Sequence, residues 1–433
     1  MGNMIETFKN AFRTPELRRR MLYTLFIIFL FRVGGNIPVP GIDRFAFTQL
    51  IGRFGQLGSM MDILSGGALK SVSIFAMGIT PYINASIIIQ LLTVAIPSLE
   101  RLAKEGETGR KNIQKITRIL GGALALVQAV AFWSSTRIAS SGFLPGWINA
   151  IMVILSFTAG SMLVIWMGES INERGIGNGI SIMIFSGIIA RVPSMVHNLW
   201  QYSKLWSENL NFFISLLFVV LVILAIMFAI VCVIFIQMAE RRIPVQYAKR
   251  VVGRKQYGGH STYLPIRVNQ SGVLPVIFAL SILQLPNLIV SFFFAESTHP
   301  IALWFKDMGT SPLYYVIQAL LILGFTFFYS LIQFNPIEIS NNLQKNGGFI
   351  PGIRPGRPTS EFIGGTSKRL CWFDALFLII VTLAPLLVGT ITRTQGLWFG
   401  GTGIIIITGT CIEIMNQLES QLMMRHRSGF LDV

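Results

Sequence analysis

Apolar positions along the chain gather into long unbroken runs, separated by short polar or basic stretches, rather than recurring every three or four residues. Phe, Ile and Leu fill runs of about 20 residues, enough to cross roughly 30 Å of hydrocarbon at about 1.5 Å per helical residue. A backbone in lipid must satisfy its own hydrogen bonds, so each run is expected to be a helix. The pattern predicts spans near 21–37, 73–93, 116–136, 148–167 and 180–198, then near 212–236, 272–292, 313–333, 371–390 and 400–418. One stretch departs from it: "DILSGGALKSVSIFAMGITPYINASIIIQLL", Asp62 to Leu92, opens like a loop and ends as an apolar helix interrupted by Pro81 and Asn84.

Ten crossings divide into halves at 21–198 and 212–418. An odd number of crossings per half inverts one half relative to the other, and inverted pairs commonly leave a pathway at their interface. The expected fold is therefore an all-α membrane protein with ten transmembrane helices in two inverted five-helix halves. Composition agrees, at 52% hydrophobic and only 12% charged residues, far from the balance of a soluble domain. Charge then orients the chain. Most of the 35 Lys and Arg residues fall in the segment 1–20, the even-numbered loops and the tail 419–433, while Arg32 lies inside the first span. The bias puts both ends in the cytoplasm. It also accounts for most of the +16 net charge without any nucleic-acid partner. The early stretch "ELRRRMLYTLFIIFLF" has the basic and apolar regions of a secretory signal, but no small-x-small cleavage site follows, so it reads as an uncleaved first span.

Two cytoplasmic loops are long, roughly 238–271 and 334–370. In the first, Ile243, Val245 and Tyr247 alternate with polar and basic residues, and a Gly253-Arg254 turn predicts a hairpin. In the second, Pro351, Pro355 and Pro358 stand among Gly347, Gly348, Gly352 and Gly356, which predicts a shaped, partly rigid tip. These loops carry aromatics, prolines and arginines far from any span, more than topology alone requires.

Candidate chemistry is sparse. His197, His260, His299 and His426 are scattered, and the chain has no H-E-x-x-H and no phosphate-binding G-x-x-x-x-G-K-[ST]. Cys232, Cys371 and Cys411 lie in or beside apolar spans without metal-site or disulfide spacing, and read as small core residues. "RGIGNGIS", Arg174 to Ser181, has no strand before it and reads as a tight turn into the fifth span. The span centres hold neutral Asn84, Gln90, Gln128, Gln284 and Gln318 rather than the ionisable groups of ion-coupled carriers. No catalytic residue, metal site or cofactor is expected. A secondary transporter of a small solute, or an insertase-like chaperone without a through-pore, are the alternatives.

The motifs then narrow the choice. "SGGALKSVSIFAMGITPYINASIIIQLLT", "ERGIGNGISIMIFSGIIA", "RRIPVQYAKR", "GGHSTYLPIRVNQSGVLPVIFA", "FNPIEISNNLQKNGGFIPGIRPG" and "WFGGTGIIII" appear in this order, and the chain resembles the SecY family of protein-translocation channels over essentially its whole length. It departs from the family pattern chiefly in the external loops and the C-terminal tail. The resemblance implies a cytoplasm-facing vestibule, an hourglass constriction, an external plug and a lateral gate between the second and seventh spans. It implies a passive channel of the bacterial cytoplasmic membrane that passes unfolded preproteins across and releases transmembrane segments sideways, driven by the SecA ATPase, the ribosome or the membrane potential. Implied partners are SecE, SecG, SecA, the ribosome, signal sequences and preproteins, and the lipid bilayer.

Residue by residue, Gly58 to Leu69 matches the family's plug. Met60, Met61, Ile63, Leu64 and Leu69 make it apolar, about twelve residues cannot span, and Gly66 and Gly67 supply a backbone joint. Pro81 reads as a helix break tolerated on a face that meets protein or a cavity. Ile79 and Ile83 share one helical face, and with Ile180, Ile184, Ile277 and Ile406 match positions of the family's pore ring. Aliphatic side chains offer no hydrogen bonds, and a hydrophobic constriction resists ions by dewetting. Asn84 and Gln90 match the lateral-gate face. Arg354, in "GIRPG", and Arg254, in "VVGRK", match the surface that docks SecA or the ribosome, where a guanidinium forks onto carboxylate or phosphate.

Overall fold

The computed structural model describes residues 4–45, 47, 62, 65–135, 145–194, 196–197, 201, 212–247, 250–252, 255–257, 261–293, 311–392 and 401–428. Its helices are α1 (Met4–Arg13), α2 (Pro15–Gly34), α3 (Thr80–Ala95), α4 (Pro97–Lys104), α5 (Glu107–Ser135), α6 (Gly146–Arg174) and α7 (Gly179–Ile189) in the first half. The second half holds α8 (Phe212–Met238), α9 (Leu274–Phe293), α10 (Pro312–Gln333), α11 (Pro336–Lys345), α12 (Arg357–Thr392) and α13 (Gly401–Ser428). Proline stands in the first two positions of α2, α3, α4, α10 and α11. There its fixed φ is already helical and its missing N–H costs nothing.

A helix overlies each predicted apolar run. Among the described residues, length and composition alone mark five helices as able to cross a membrane. A sixth is added if α3 and α4, bent by 102° at their junction, form one broken span, and the helices 179–194 and 274–284 are shorter apolar ones. The chain is thus a multi-pass membrane protein.

Some boundaries differ from the sequence reading. The second span was expected from residue 73, yet residues 65–79 run mainly through turns and helix begins only at Thr80. Val72 adopts a positive φ of 51° there, which no helix tolerates in a β-branched residue. Pro81 therefore starts a helix instead of breaking one. At the other end, α12 begins at Arg357, so residues 357–370 of the expected loop 334–370 are helical, as are Pro336–Lys345 in α11, and α13 runs on to Ser428 past the expected edge.

The long loops fold together. β1 (Glu240–Tyr247) pairs antiparallel with β4 (Ser261–Arg267) on one side and β5 (Gly348–Phe349) on the other, while β2 (Arg250–Val252) pairs with β3 (Lys255–Tyr257). Val252 lies opposite Lys255, the register of the expected hairpin; residues 253 and 254 themselves lie outside the described set. Ile243 and Val245 point inward and their neighbours outward, as the two-residue period of a strand requires. They pack with Ile266, Leu343, Ile350 and Ile363, so residues of both loops and α12 share one core.

Within each half, neighbouring helices pack in sequence, α3 on α5 and α5 on α6, then α9 on α10 and α10 on α12. Among the described residues the halves meet along two main seams, α7 and α1 against α13, and α9 against α3 and α5. Close approach sets the packing, since lipid offers no hydrophobic drive between helices. A Cβ on Gly160 of α6 would lie 1.9 Å from the Ile74 carbonyl oxygen, so only glycine fits. α8 instead turns Leu217, Leu224, Phe228, Val231 and Phe235 outward, the surface of a helix that faces apolar surroundings.

Candidate functional site

All six isoleucines singled out in the sequence lie in one hydrophobic cluster between the halves. Ile79, Ile83, Ile184 and Ile406 are buried, at 2–5% exposure, and Ile180 and Ile277 pack against them half-buried. They come from the start of α3, from α7, from α9 and from α13. A Cβ placed on Gly168 of α6 would stand 3.7 Å from Ile180 Cγ1 and 3.8 Å from Ile79 Cδ1, so both side chains rest on the same small patch.

The turn before α7 is fixed by polar contacts as well as by the packing of Ile176 against Leu17, Met21 and Leu418. Asn178 caps α7, its Oδ1 accepting from the Ile180 and Ser181 amides at 3.1 and 3.4 Å, and Asn172 Oδ1 accepts from the Gly179 amide at 2.7 Å. The Ile176 amide donates to Thr24 Oγ1 of α2 at 3.1 Å, and the Gly177 amide donates to Gln417 Oε1 of α13. The glycine run is the tight turn expected, and it also ties both halves at the α7–α13 seam.

Of the segment expected to form a plug, Gly58, Met60, Met61, Ile63 and Leu64 lie outside the described residues. Gly66 and Gly67 have φ of 70° and 90°, the left-handed backbone that suits a glycine joint. Leu69 is buried in the core of the first half with Val39, Val72 and Phe157, whereas Ala68 joins the central cluster. Charged residues that sequence reasoning passed over surround the joint. The buried Asp62 carboxylate accepts from the Lys70 amide at 3.0 Å and pairs with Arg191 just beyond α7. Arg32 of α2 donates to the Gly66 carbonyl at 2.9 Å and to the Ser186 carbonyl of α7. The usable signal was there: an arginine in an otherwise apolar span is costly and marks a function or a partner.

At the second seam, Gln90 Nε2 donates to Ser86 at 3.1 Å and the Tyr329 hydroxyl of α10 donates to Gln90 Oε1. Phe278 of α9 stands edge-on to Tyr329 with ring centroids 5.2 Å apart. Asn84 is buried, and its Oδ1 has no hydrogen-bond partner among the described residues. The base of α9 is anchored to its own half: Gln270 Oε1 accepts from Ser330 and Ser367, both at 2.9 Å, and Ser271 donates to Asp374 at 2.8 Å. Arg354 is exposed at the loop tip, its carbonyl accepting from Thr359 Oγ1 at 2.8 Å; Arg254 lies outside the described residues.

Comparison with known proteins matches this arrangement. Solved structures share the fold at low sequence identity. One described as a protein-conducting channel has a TM-score of 0.62 at 19% identity, with 93% of this chain and 92% of that chain covered. Another, described as showing that the plug domain of the SecY protein stabilises the closed state of the translocation channel and maintains a membrane seal, has a TM-score of 0.63 at 18% identity, with the same shares covered. In sequence, the protein translocase subunit SecY of Streptomyces scabiei is 42% identical over 446 residues, covering 99% of this chain and 100% of the relative. That of Thermotoga maritima is 42% identical over 441 residues, covering 99% and 98%. The SecY family model matches residues 73–415, beginning just after the joint and taking in every one of the six clustered isoleucines, and with full-length relatives at this identity the chain belongs to the SecY family.

Proposed function

We propose that the chain is a passive protein-conducting channel that carries unfolded preproteins through the space between its halves and releases apolar segments sideways into lipid. The observation that carries this reading is the meeting of Ile79, Ile83, Ile180, Ile184, Ile277 and Ile406 in one cluster at the junction of the halves. Such a ring is a deformable gasket: it offers no hydrogen bonds to a passing chain, excludes water, and closes by dewetting. The segment Gly58 to Leu69 is its plug, swinging on Gly66 and Gly67, and the seam of α3 with α9, where Asn84 and Gln90 sit, is the lateral gate.

The chain itself does no chemistry. Energy comes from the SecA ATPase, the ribosome or the membrane potential. SecA or the ribosome docks on the module built from the two long loops, with Arg254 and Arg354 at its tips, and SecE and SecG complete the complex. The loops carry the excess of basic residues, so the module and both termini face the cytoplasm of a bacterial cell. The names of the full-length relatives favour a translocase over a small-solute transporter.

The test is a preprotein stalled in transit and carrying a photoreactive residue. Crosslinks should form to residues 79, 83, 184, 277 and 406 and not to the outward-facing Leu224 or Phe228. Crosslinks confined to outward-facing positions would overturn the reading.

A further inference from the structure

We propose that Arg32, Asp62 and Arg191 form a polar latch that positions the plug in the closed channel, holding its joint to α2 and to the end of α7. The proposal rests on the plug reading above. Asp62 has no measurable exposure and its carboxylate faces Arg191. On the same joint, Arg32 bridges the Gly66 carbonyl and the Ser186 carbonyl, so one guanidinium clamps the hinge backbone to α7. The two backbones also touch: a Cβ on Gly66 would lie 2.9 Å from the Gly187 Cα.

The physical logic favours a latch over a passive filler. A buried ion pair gives little net stability against an apolar replacement, but removing one partner leaves an uncompensated charge and is strongly unfavourable. Closure by charge is therefore steep in geometry, and leaving the closed position requires both guanidiniums to find water or other acceptors. An apolar plug alone would slide between nearly equivalent greasy positions; a carboxylate facing an arginine sets one register. Arg32 adds a contact independent of side-chain chemistry, since it holds main-chain carbonyls.

The test uses the complete membrane complex in proteoliposomes, read as resting leak of potassium ions, with SecA-driven export measured on the same preparation. Arg191→Gln and Asp62→Asn should each raise the leak by at least about tenfold, since unpairing a buried charge is strongly unfavourable. Export by the Arg191→Gln complex should persist, which shows that the variant is folded and that only closure has suffered. The reciprocal exchange, Asp62→Arg with Arg191→Asp, should bring the leak back toward the wild-type value, a rescue that requires the two side chains to act as a pair. Deletion of residues 58–69 is the reference. If the deletion leaks while the single variants stay tight, or if the exchange leaks as much as either single variant, the latch is overturned and the plug stands. If the deletion itself stays tight, both fall.

Discussion

The Tyr329 hydroxyl donates to the Gln90 side-chain oxygen, joining α10 of the second half to α3 of the first across the seam where Phe278 also packs. Polar contacts between helices in lipid contribute about 0.6–1 kcal/mol each. Tyr329→Phe keeps the ring and removes the donor, so the balance should move toward parted helices by roughly three- to fivefold. Photocrosslinking of a signal sequence to α3 measures it; an unchanged yield would take this contact out of the gate.

The gasket predicts a graded response to side-chain volume. Ile83→Gly with Ile184→Gly removes two buried side chains from the central cluster, and the constriction should conduct, seen as single-channel current at rest. Ile83→Val with Ile184→Val removes only one methylene at each position and should remain tight. Equal currents from the two pairs would argue against a ring that seals by filling.

Arg354 is exposed, so replacing it should leave stability within about 0.5 kcal/mol of wild type. Arg354→Glu reverses the charge offered to carboxylates or phosphates and should lower SecA-driven export severalfold, while unfolding and resting tightness stay as they were. Export at the wild-type rate would remove the docking role from this arginine.

The loop module should fail as one unit. Val245 is 1% exposed in the core that β1 shares with Leu343, Ile350 and Ile363. Val245→Asp places an unpaired carboxylate there, at a cost of about 3 kcal/mol or more. Limited proteolysis should then cut in both 238–271 and 334–370. Cutting confined to the first loop would mean that the shared core does not hold the two together.

How much of this was readable beforehand varied with the kind of information each element needs. Helices over apolar runs follow from lipid chemistry, so their existence was legible, and so was the β2–β3 pairing from the Gly253-Arg254 signal. Edges were not, because apolar composition does not distinguish turns packed against protein from helix packed against lipid. Residues 73–79 are as apolar as any span and yet run through turns. The isoleucines show the same limit: nothing local separates Ile184 from its lipid-facing counterparts, and only the resemblance selected it. Arg32 was visible as an anomaly within an apolar run, but its partners, the Gly66 and Ser186 carbonyls, belong to distant backbone and leave no trace in composition. β5 was equally hidden, being two residues long and paired only through the tertiary fold.

The turn at Arg174–Gly179 bears on how the molecule accommodates cargo. Its amides are held by Thr24 and Gln417, so α2, α7 and α13 are bound together like leaves along a spine. The seam of α3 with α9 is closed instead by aromatic faces and the Gln90 contact. Under the proposed gate, cargo that forces the waist wider would part that seam and leave the bound spine in place, and a stretch greasy enough to prefer lipid would depart there without ever completing the crossing.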